Sequence, residues 1–197
     1  MIATEQSVAI VLAAGRSNRF GVENKLLAPL GGRPLIAHVL ETVGSLPLIA
    51  RLCVVAADDR KVAALASKYG LEHVDNDLPE AGQERSVRLG LSRALGYRPE
   101  AVILCLADMP GITASHLLSL ASAATPDRAA MTSAGAFQSP PAIIPKRFID
   151  RILENPERRV RDVLVPRSDI PAPQSLVMDV DTPDDLERLM SQLPLER

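Results

Sequence analysis

The sequence contains no tryptophan, and aromatic residues make up only 3% of it. Without exposed aromatic platforms, single-stranded nucleic acid is not an expected partner. Nor does one sign of charge dominate: 22 Lys and Arg stand against 24 Asp and Glu, for a formal net charge of −2. No global field draws the chain to duplex nucleic acid or to an anionic membrane, so any anion binding must be local. No apolar run reaches the about 18 residues of a membrane span. The first residues, Met1 to Gln6, lack the basic stretch of a signal peptide, and a cytoplasmic location is expected. Cysteine is limited to Cys53 and Cys105, both in apolar runs and without metal-ligand spacing, which predicts buried free thiols. His38, His73 and His116 are scattered and form no ligand set. No Ser/His/Asp or Cys/His arrangement is legible, so covalent catalysis is not indicated.

What remains is an ordinary folded composition of 197 residues, 47% apolar and 23% charged. That is enough for one domain spanning 1–197 with a sizeable core. Strand-like runs at Val8–Leu12, Leu52–Ala56 and Ala101–Leu106 alternate with amphipathic helical stretches at 35–43, up to Lys68, 85–95 and 113–121. Shorter strands are expected at 129–131 and 142–144, short helices at 148–153 and 160–165, and a closing helix from Pro183. Pro34 suits a first helical position, Asp58 or Asp59 and Thr113 suit N-caps, and Gly70 suits a helix end. Leu176–Met178 reads as a further strand-like run, and the prolines from Pro166 to Pro173 read as loop. This alternation predicts an α/β fold, a Rossmann-like three-layer sandwich around a mostly parallel sheet. Ligands in such sheets bind beyond the carboxyl ends of the strands.

The run Leu12-Ala13-Ala14-Gly15-Arg16-Ser17-Asn18-Arg19-Phe20-Gly21, closed by Lys25, follows the first strand at such an end. Its two glycines let backbone N–H groups approach an anion. Arg19 and Lys25 supply the positive charge that a nucleoside triphosphate requires in order to be bound and attacked. A Walker loop places Lys directly after its last Gly, whereas Gly21 is followed by Val22. A dinucleotide fingerprint needs a second Gly where this chain has Ser17.

Three other segments carry chemistry. Asp108 follows the strongest strand and suits a Mg²⁺ ion held between nucleotide phosphates. Gly82-Gln83-Glu84-Arg85-Ser86 is a glycine-flanked entry into a helix, where exposed N–H groups and the Gln83 and Ser86 side chains could read a base edge or a ribose. Asp179 and Asp181 alternate along an extended segment and so share a side. One of them could complete the metal site of Asp108, or Asp181 or Thr182 could cap the helix that begins at Pro183. The run Arg158-Arg159-Val160-Arg161 is either a solvated helix face or a contact for an acidic substrate.

Taken together, these segments resemble the MobA-like nucleotidyltransferases. Leu12-Ala13-Ala14-Gly15-x-Ser17-x-Arg19-Phe20-Gly21 with Lys25-Leu26-Leu27 is similar to the signature of that family, and within it to the molybdenum cofactor cytidylyltransferases. Leu106-Ala107-Asp108-Met109-Pro110 resembles the metal-binding segment. Gly82-Gln83-x-x-Ser86-Val87-x-x-Gly90-Leu91 resembles the base- and ribose-contacting one, and Asp179 to Leu186 the C-terminal acidic motif. The resemblance implies transfer of a nucleoside monophosphate with release of pyrophosphate. It implies that Leu12, Ala13, Ala14, Gly15, Ser17, Gly82, Gln83 and Ser86 contact the nucleotide, and that Arg19 and Lys25 neutralise its triphosphate. Mg²⁺ would then sit on Asp108, with Asp179 or Asp181 assisting.

Ala14, where guanylyltransferase relatives carry Gly, favours CTP over GTP. The acceptor implied is a phosphorylated small molecule of molybdopterin type, with possible transient contact with a molybdoenzyme. Two departures from the pattern fall on the acceptor side. The Gly-Asp-x-Gly-Ala-Arg segment of the cytidylyltransferases is replaced by Asn155 to Leu164, and the His or Asn before Pro by Ser139-Pro140-Pro141. The rival readings are the same chemistry on a sugar phosphate or methylerythritol phosphate, GTP as donor, and a nucleotide- or cofactor-binding chaperone without transferase activity.

Overall fold

The computed structural model describes residues 1–16, 20 and 24–192. The apolar run after Gln6 forms β1 (Ser7–Ala13), buried along its whole length. A strand apolar on both faces belongs in the middle of a sheet covered on both sides. β1 accordingly lies between β4 (Ala50–Ala56) and β6 (Ala101–Leu106), parallel to each. Between β1 and β4 the chain makes a small hairpin, β2 (Pro29–Leu30) and β3 (Arg33–Pro34), turned by Gly31 and Gly32, both at positive φ. It then enters α1 (Leu35–Gly44), for which Pro34 is the N-cap and not the first helical residue. Asp59 caps α2 (Arg60–Lys68), accepting from Val62 N–H at 3.1 Å. β5 (Glu72–Asn76) pairs with β4, and α3 (Gln83–Leu95) leads to β6. Thr113 caps α4 (Ala114–Ala123). The hairpin β7 (Ala129–Ala134) and β8 (Phe137–Pro145) is followed by α5 (Lys146–Glu154), α6 (Val160–Val163), β9 (Arg167–Pro171) and α7 (Pro183–Gln192).

Among the described residues the main sheet runs β5-β4-β1-β6-β8-β7-β9, with only β8 antiparallel to its neighbours. Alternate residues of β1 enter two separate cores. Ala9, Val11 and Ala13 face α1, α2, α4 and α7, while Val8, Ile10 and Leu12 face α3, α5 and α6. This is the expected three-layer α/β arrangement. Each fully buried Val, Leu or Ile contributes about 1.5–3 kcal/mol. Cys53 and Cys105 flank Val11 on the adjacent strands, and burial pushes both thiols up to about 12. No helix among the described residues is long and apolar enough to cross a membrane.

Three elements differ from the sequence expectations. β5 escapes an apolar-run search because Glu72, His73 and Asp75 interrupt it; it is an edge strand, where charge discourages further pairing. β9 lies inside the proline-rich stretch read as loop, at the opposite edge, where proline is tolerated because one side of the strand needs no partner. Leu176–Met178 forms no strand. Its neighbourhood buries Leu176 and Val180 against the α1/α2/α4 side of the sheet instead.

His116 is 9% exposed, and its Nε2 lies 2.9 Å from Thr132 Oγ1, which itself donates to the Pro141 carbonyl at 2.8 Å. Nε2 is therefore the protonated, donating nitrogen. Burial holds the imidazole pKa below its ordinary value. The unfolded chain thus takes up a proton before the folded one does, and stability falls as pH drops below about 6.5. Urea midpoints measured from pH 7.5 to 5 should decline in the wild type and decline less in His116→Gln, which keeps a donor but cannot be charged.

Candidate nucleotide site

β1 ends at Ala13 and β6 at Leu106, and the ladder extends one step further through Ala107 N–H to the Leu12 carbonyl at 3.0 Å. This sets Asp108 level with the loop Ala14-Gly15 at the carboxyl edge of the sheet. Between them lies a cavity of about 140 Å³. Its lining includes every described residue expected to contact a nucleotide: Leu12, Ala13, Ala14, Gly15, Gly82, Gln83 and Ser86, together with Lys25 and Asp108. Ser17 and Arg19 lie outside the described residues.

The far wall is the start of α3. Gly82 sits at φ +94°, a backbone conformation that side chains disfavour, and lets the chain turn into the helix. Gly82 has no side chain with which to cap this N-terminus; the Arg85 N–H bonds back to the Gly82 carbonyl at 3.3 Å, and the Gln83 and Glu84 N–H groups ahead of it suit an incoming acceptor. Ser86, one turn on, is buried and receives a hydrogen bond from Asn76 Nδ2 at 3.0 Å. Asn76 itself is fully buried, and its Oδ1 accepts from Leu78 N–H and Arg85 Nε, each at 3.1 Å. Asn76 thus fixes the hydroxyl of Ser86, a role the sequence reading missed along with β5. The signal was a lone amide at the end of an alternating run, just before the turn into Pro79.

Lys25 stands in a one-turn 3-10 segment, Lys25–Leu27, capped by Asn24, whose side chain accepts from Leu26 N–H at 2.9 Å and donates to Asp59. The lysine is 7% exposed. Its Nζ donates to Asp108 Oδ2 at 2.9 Å and to Asp181 Oδ1 at 2.7 Å. Burial alone would lower its pKa, but the charge of Asp108 and the hydrogen bonds to both carboxylates outweigh it, and the net shift is upward. The ammonium therefore stays charged. Asp179 has its pKa raised, chiefly by burial and further by the nearby charges of Asp181 and Asp108, with Lys25 opposing.

Asp181 reaches Lys25 because Thr182, and not Asp181, caps α7. Thr182 Oγ1 accepts from Asp185 N–H at 3.2 Å, while Asp185 accepts from Thr182 N–H at 2.9 Å and from its hydroxyl at 2.7 Å. This is a reciprocal capping box. The segment is tied to the sheet by Val180 N–H to the Asp108 carbonyl at 3.0 Å. Gly111 permits the same approach: a Cβ there would stand 2.3 Å from the Ser175 carbonyl oxygen.

Among the described residues no three carboxylate, imidazole or thiol groups converge into a closed metal cage. Asp108 and Asp181, brought to one point by Lys25, are hard oxygen donors on one side of an open site. That suits a small divalent cation completing its shell with phosphate oxygens and water.

A second cavity, of about 550 Å³, adjoins the first and shares Leu12 and Gln83 with it. One wall is the β7–β8 hairpin, with Phe137, Gln138 and Pro140; the other is α6 and its flanks, with Val160, Arg161, Asp162 and Leu164. The two places where the sequence departs from the family pattern therefore meet in one cavity. Arg161 lines it, whereas the Arg158 side chain donates to the Asp162 carbonyl at 3.2 Å and its own carbonyl accepts from Arg88 Nη2 at 2.5 Å.

The model of the MobA-like NTP transferase domain matches residues 9–192. The purine catabolism protein PucB of Bacillus subtilis is 30% identical over 141 residues, 68% of this chain and 68% of that protein. The bifunctional protein GlmU of Agrobacterium fabrum is 36% identical over 112 residues, 56% of this chain but only 25% of that longer protein. Among solved structures, a nucleotidyl transferase from Methanothermobacter superposes with a TM-score of 0.80 at 19% identity, covering 95% of this chain and 97% of the other, and so shares the fold. A family match across nearly the whole chain thus coincides with a loop, a lysine and an aspartate gathered at the end of a parallel sheet, and the chain belongs to the MobA-like NTP transferase domain family, a family of nucleotidyltransferases.

Proposed function

We propose that the chain transfers CMP from CTP to a phosphorylated acceptor of molybdopterin type and releases pyrophosphate. The observation that carries this reading is the Lys25 ammonium held between Asp108 and Asp181 at the rim of a cavity walled by Ala13, Ala14 and Gly15. A triphosphate seated on that loop brings its charge to Lys25, with Arg19 proposed to share the task. No atom of the described residues stands within 4 Å of where a Gly15 Cβ would lie, which favours close approach of the backbone to phosphate. Asp108 and Asp181, with Asp179 as the alternative second ligand, fit Mg²⁺, which when bound would offset phosphate charge and make the α-phosphorus a better electrophile.

The chain's own residues hold and orient. Asn76 donates to Ser86, so the Ser86 hydroxyl has its proton to offer the ribose or base, beside the Gln83 amide. An acceptor phosphate oxygen attacks the α-phosphorus in line. The new P–O bond forms as the bond to the α–β bridging oxygen breaks, and that electron pair leaves on pyrophosphate. Lys25 stabilises charge as it builds on the phosphates. No protein nucleophile takes part, in keeping with thiols buried inside β4 and β6. Ala14 supports CTP because it stands in the cavity lining where guanylyltransferase relatives carry Gly; one methyl group is worth roughly 10–200-fold in discrimination.

The test is pyrophosphate release with each of the four NTPs, Mg²⁺ and each of three acceptors: molybdopterin, glucose 1-phosphate and methylerythritol phosphate. CTP with molybdopterin is expected to exceed GTP by at least about tenfold. A GTP preference would reassign the donor, and turnover with a sugar phosphate alone would reassign the acceptor. Nucleotide binding without pyrophosphate from any pair would leave a carrier.

A further inference from the structure

Lys25 has to be placed from its main chain as well as from its ammonium. Asp108 and Asp181 hold the Nζ, but the same carboxylates are the oxygens that suit a divalent cation. A cation seated on them takes partners away from the ammonium, and the Lys25 backbone then decides where the charge stands. That backbone is a single 3-10 turn. It is closed by Leu27 N–H to the Asn24 carbonyl at 2.9 Å and Ala28 N–H to the Lys25 carbonyl at 3.1 Å. So short a turn has little cooperativity of its own, and its cap carries weight.

The cap is Asn24, and what it meets fixes its orientation. The Leu26 N–H can only donate, so the Asn24 atom facing it at 2.9 Å is Oδ1, and Nδ2 points to Asp59 Oδ2. Asp59 thus serves two turns. Its Oδ1 accepts from Val62 N–H at 3.1 Å at the start of α2, and its Oδ2 accepts from Asn24. Capping α2 requires one oxygen, which Ser, Thr or Asn would also supply. Serving Asn24 as well requires a second acceptor, which a carboxylate has. The peptide beneath is anchored too, with Ala57 N–H on the Asn76 carbonyl at 3.0 Å and Asp59 N–H on the Ala56 carbonyl at 2.9 Å. Neighbouring Asp58 meets Arg16 at 2.7 Å, but with side chains 65% and 46% exposed that pair is weak in water. Asp59 and Asn24 are half-buried.

We propose that Asp59 is a positioning residue: through Asn24 it holds the Lys25 turn against the end of β4, and so sets where the ammonium meets phosphate. This rests on reading Lys25 as the group that meets the triphosphate.

Three variants separate this role from plain capping of α2. Asp59→Asn keeps an oxygen for the Val62 N–H but turns its amide N–H toward that of Asn24, donor against donor. Asp59→Ser keeps the cap and is too short to reach Asn24. The exchanged pair, Asn24→Asp with Asp59→Asn, restores one donor facing one acceptor at the same net charge. The first readout is the Lys25 Nζ–H resonance of nitrogen-labelled protein without nucleotide, assigned by its loss in Lys25→Met. It should be sharp in the wild type, lost to exchange with water in both single variants, and regained in the exchanged pair. Pyrophosphate release from CTP and molybdopterin should fall at least about tenfold in the single variants, in kcat more than in KM, and return in the exchanged pair. A Lys25 resonance as sharp in Asp59→Asn as in the wild type, wild-type turnover in either single variant, or no recovery in the exchanged pair overturns the proposal. The nucleotidyltransferase reading fails by a separate result, no pyrophosphate from the wild type with CTP and any acceptor; the resonance then still decides whether Asp59 places Lys25.

Discussion

Replacing Lys25 with methionine is expected to reduce pyrophosphate release by at least about a hundred- to a thousandfold, the range seen when one preorganised charge-stabilising group is removed. It should also destabilise the fold. The ammonium is 9% exposed in its side chain and stands between Asp108 and Asp181. Methionine fills the same volume but leaves two carboxylates facing each other. Removing one partner of a buried ion pair costs about 3–5 kcal/mol. The low end applies, because Asp181 is 41% exposed and water screens it. For a chain of this size about 3 kcal/mol corresponds to roughly 6–12 °C in melting temperature. Mg²⁺ or Mn²⁺ should recover part of that loss in the variant while moving the wild type less, since a cation then takes the position the ammonium held. A variant that melts like the wild type and turns over normally would remove Lys25 from the site. The raised pKa of Lys25 gives the sign with pH: its contribution is complete below about 10.4 and is lost only as pH rises through the still higher folded value. No loss from this group is expected across the neutral range.

Gly111→Ala should have the next largest effect, although Gly111 lines neither cavity. A methyl group there would stand 2.3 Å from the Ser175 carbonyl oxygen and 3.2 Å from the Leu176 Cα. Both are main-chain atoms, so no side-chain rotation relieves the contact and the segment from Pro173 to Val177 must move. Overpacking of this kind costs about 1–3 kcal/mol. The displaced segment runs directly into Asp179 and Asp181, so the Lys25–Asp181 contact is strained along with it. Turnover should fall at least about tenfold, since a shift of about an ångström can cost more than that. Circular dichroism melts and pyrophosphate assays on the same preparation check both halves. Normal melting with normal turnover would mean the acidic segment does not depend on this close approach.

The lining of the smaller cavity was legible because its residues sit at the ends of strong local elements. Leu12 to Gly15 follow β1 directly, Gly82, Gln83 and Ser86 lie within one helix entry, and Asp108 follows β6. Residue type and order suffice where each group acts from the end of a strong element. What stayed hidden depended on partners far apart in the chain. Asn76 acts through Ser86, from an edge strand too polar to stand out. Whether Asp181 or Thr182 caps α7 is decided only by the Thr182–Asp185 pairing. The larger cavity joins Pro140 to Val160 through a hairpin and a short helix that no periodicity connects. The same limit explains β9, a strand made possible by an open sheet edge and not by its own sequence.

The Lys25–Asp181 hydrogen bond joins residues 156 positions apart. On a ribosome, the carboxylate that completes the ion cluster is made long after the lysine it pairs with. Closing so long a loop is entropically affordable only once the intervening strands have already folded into their sheet. The contact between Lys25 and Asp181 is therefore a late event in folding, one that follows assembly of β1 and β6. A chain cut before Asp181 lacks the second carboxylate of the cluster.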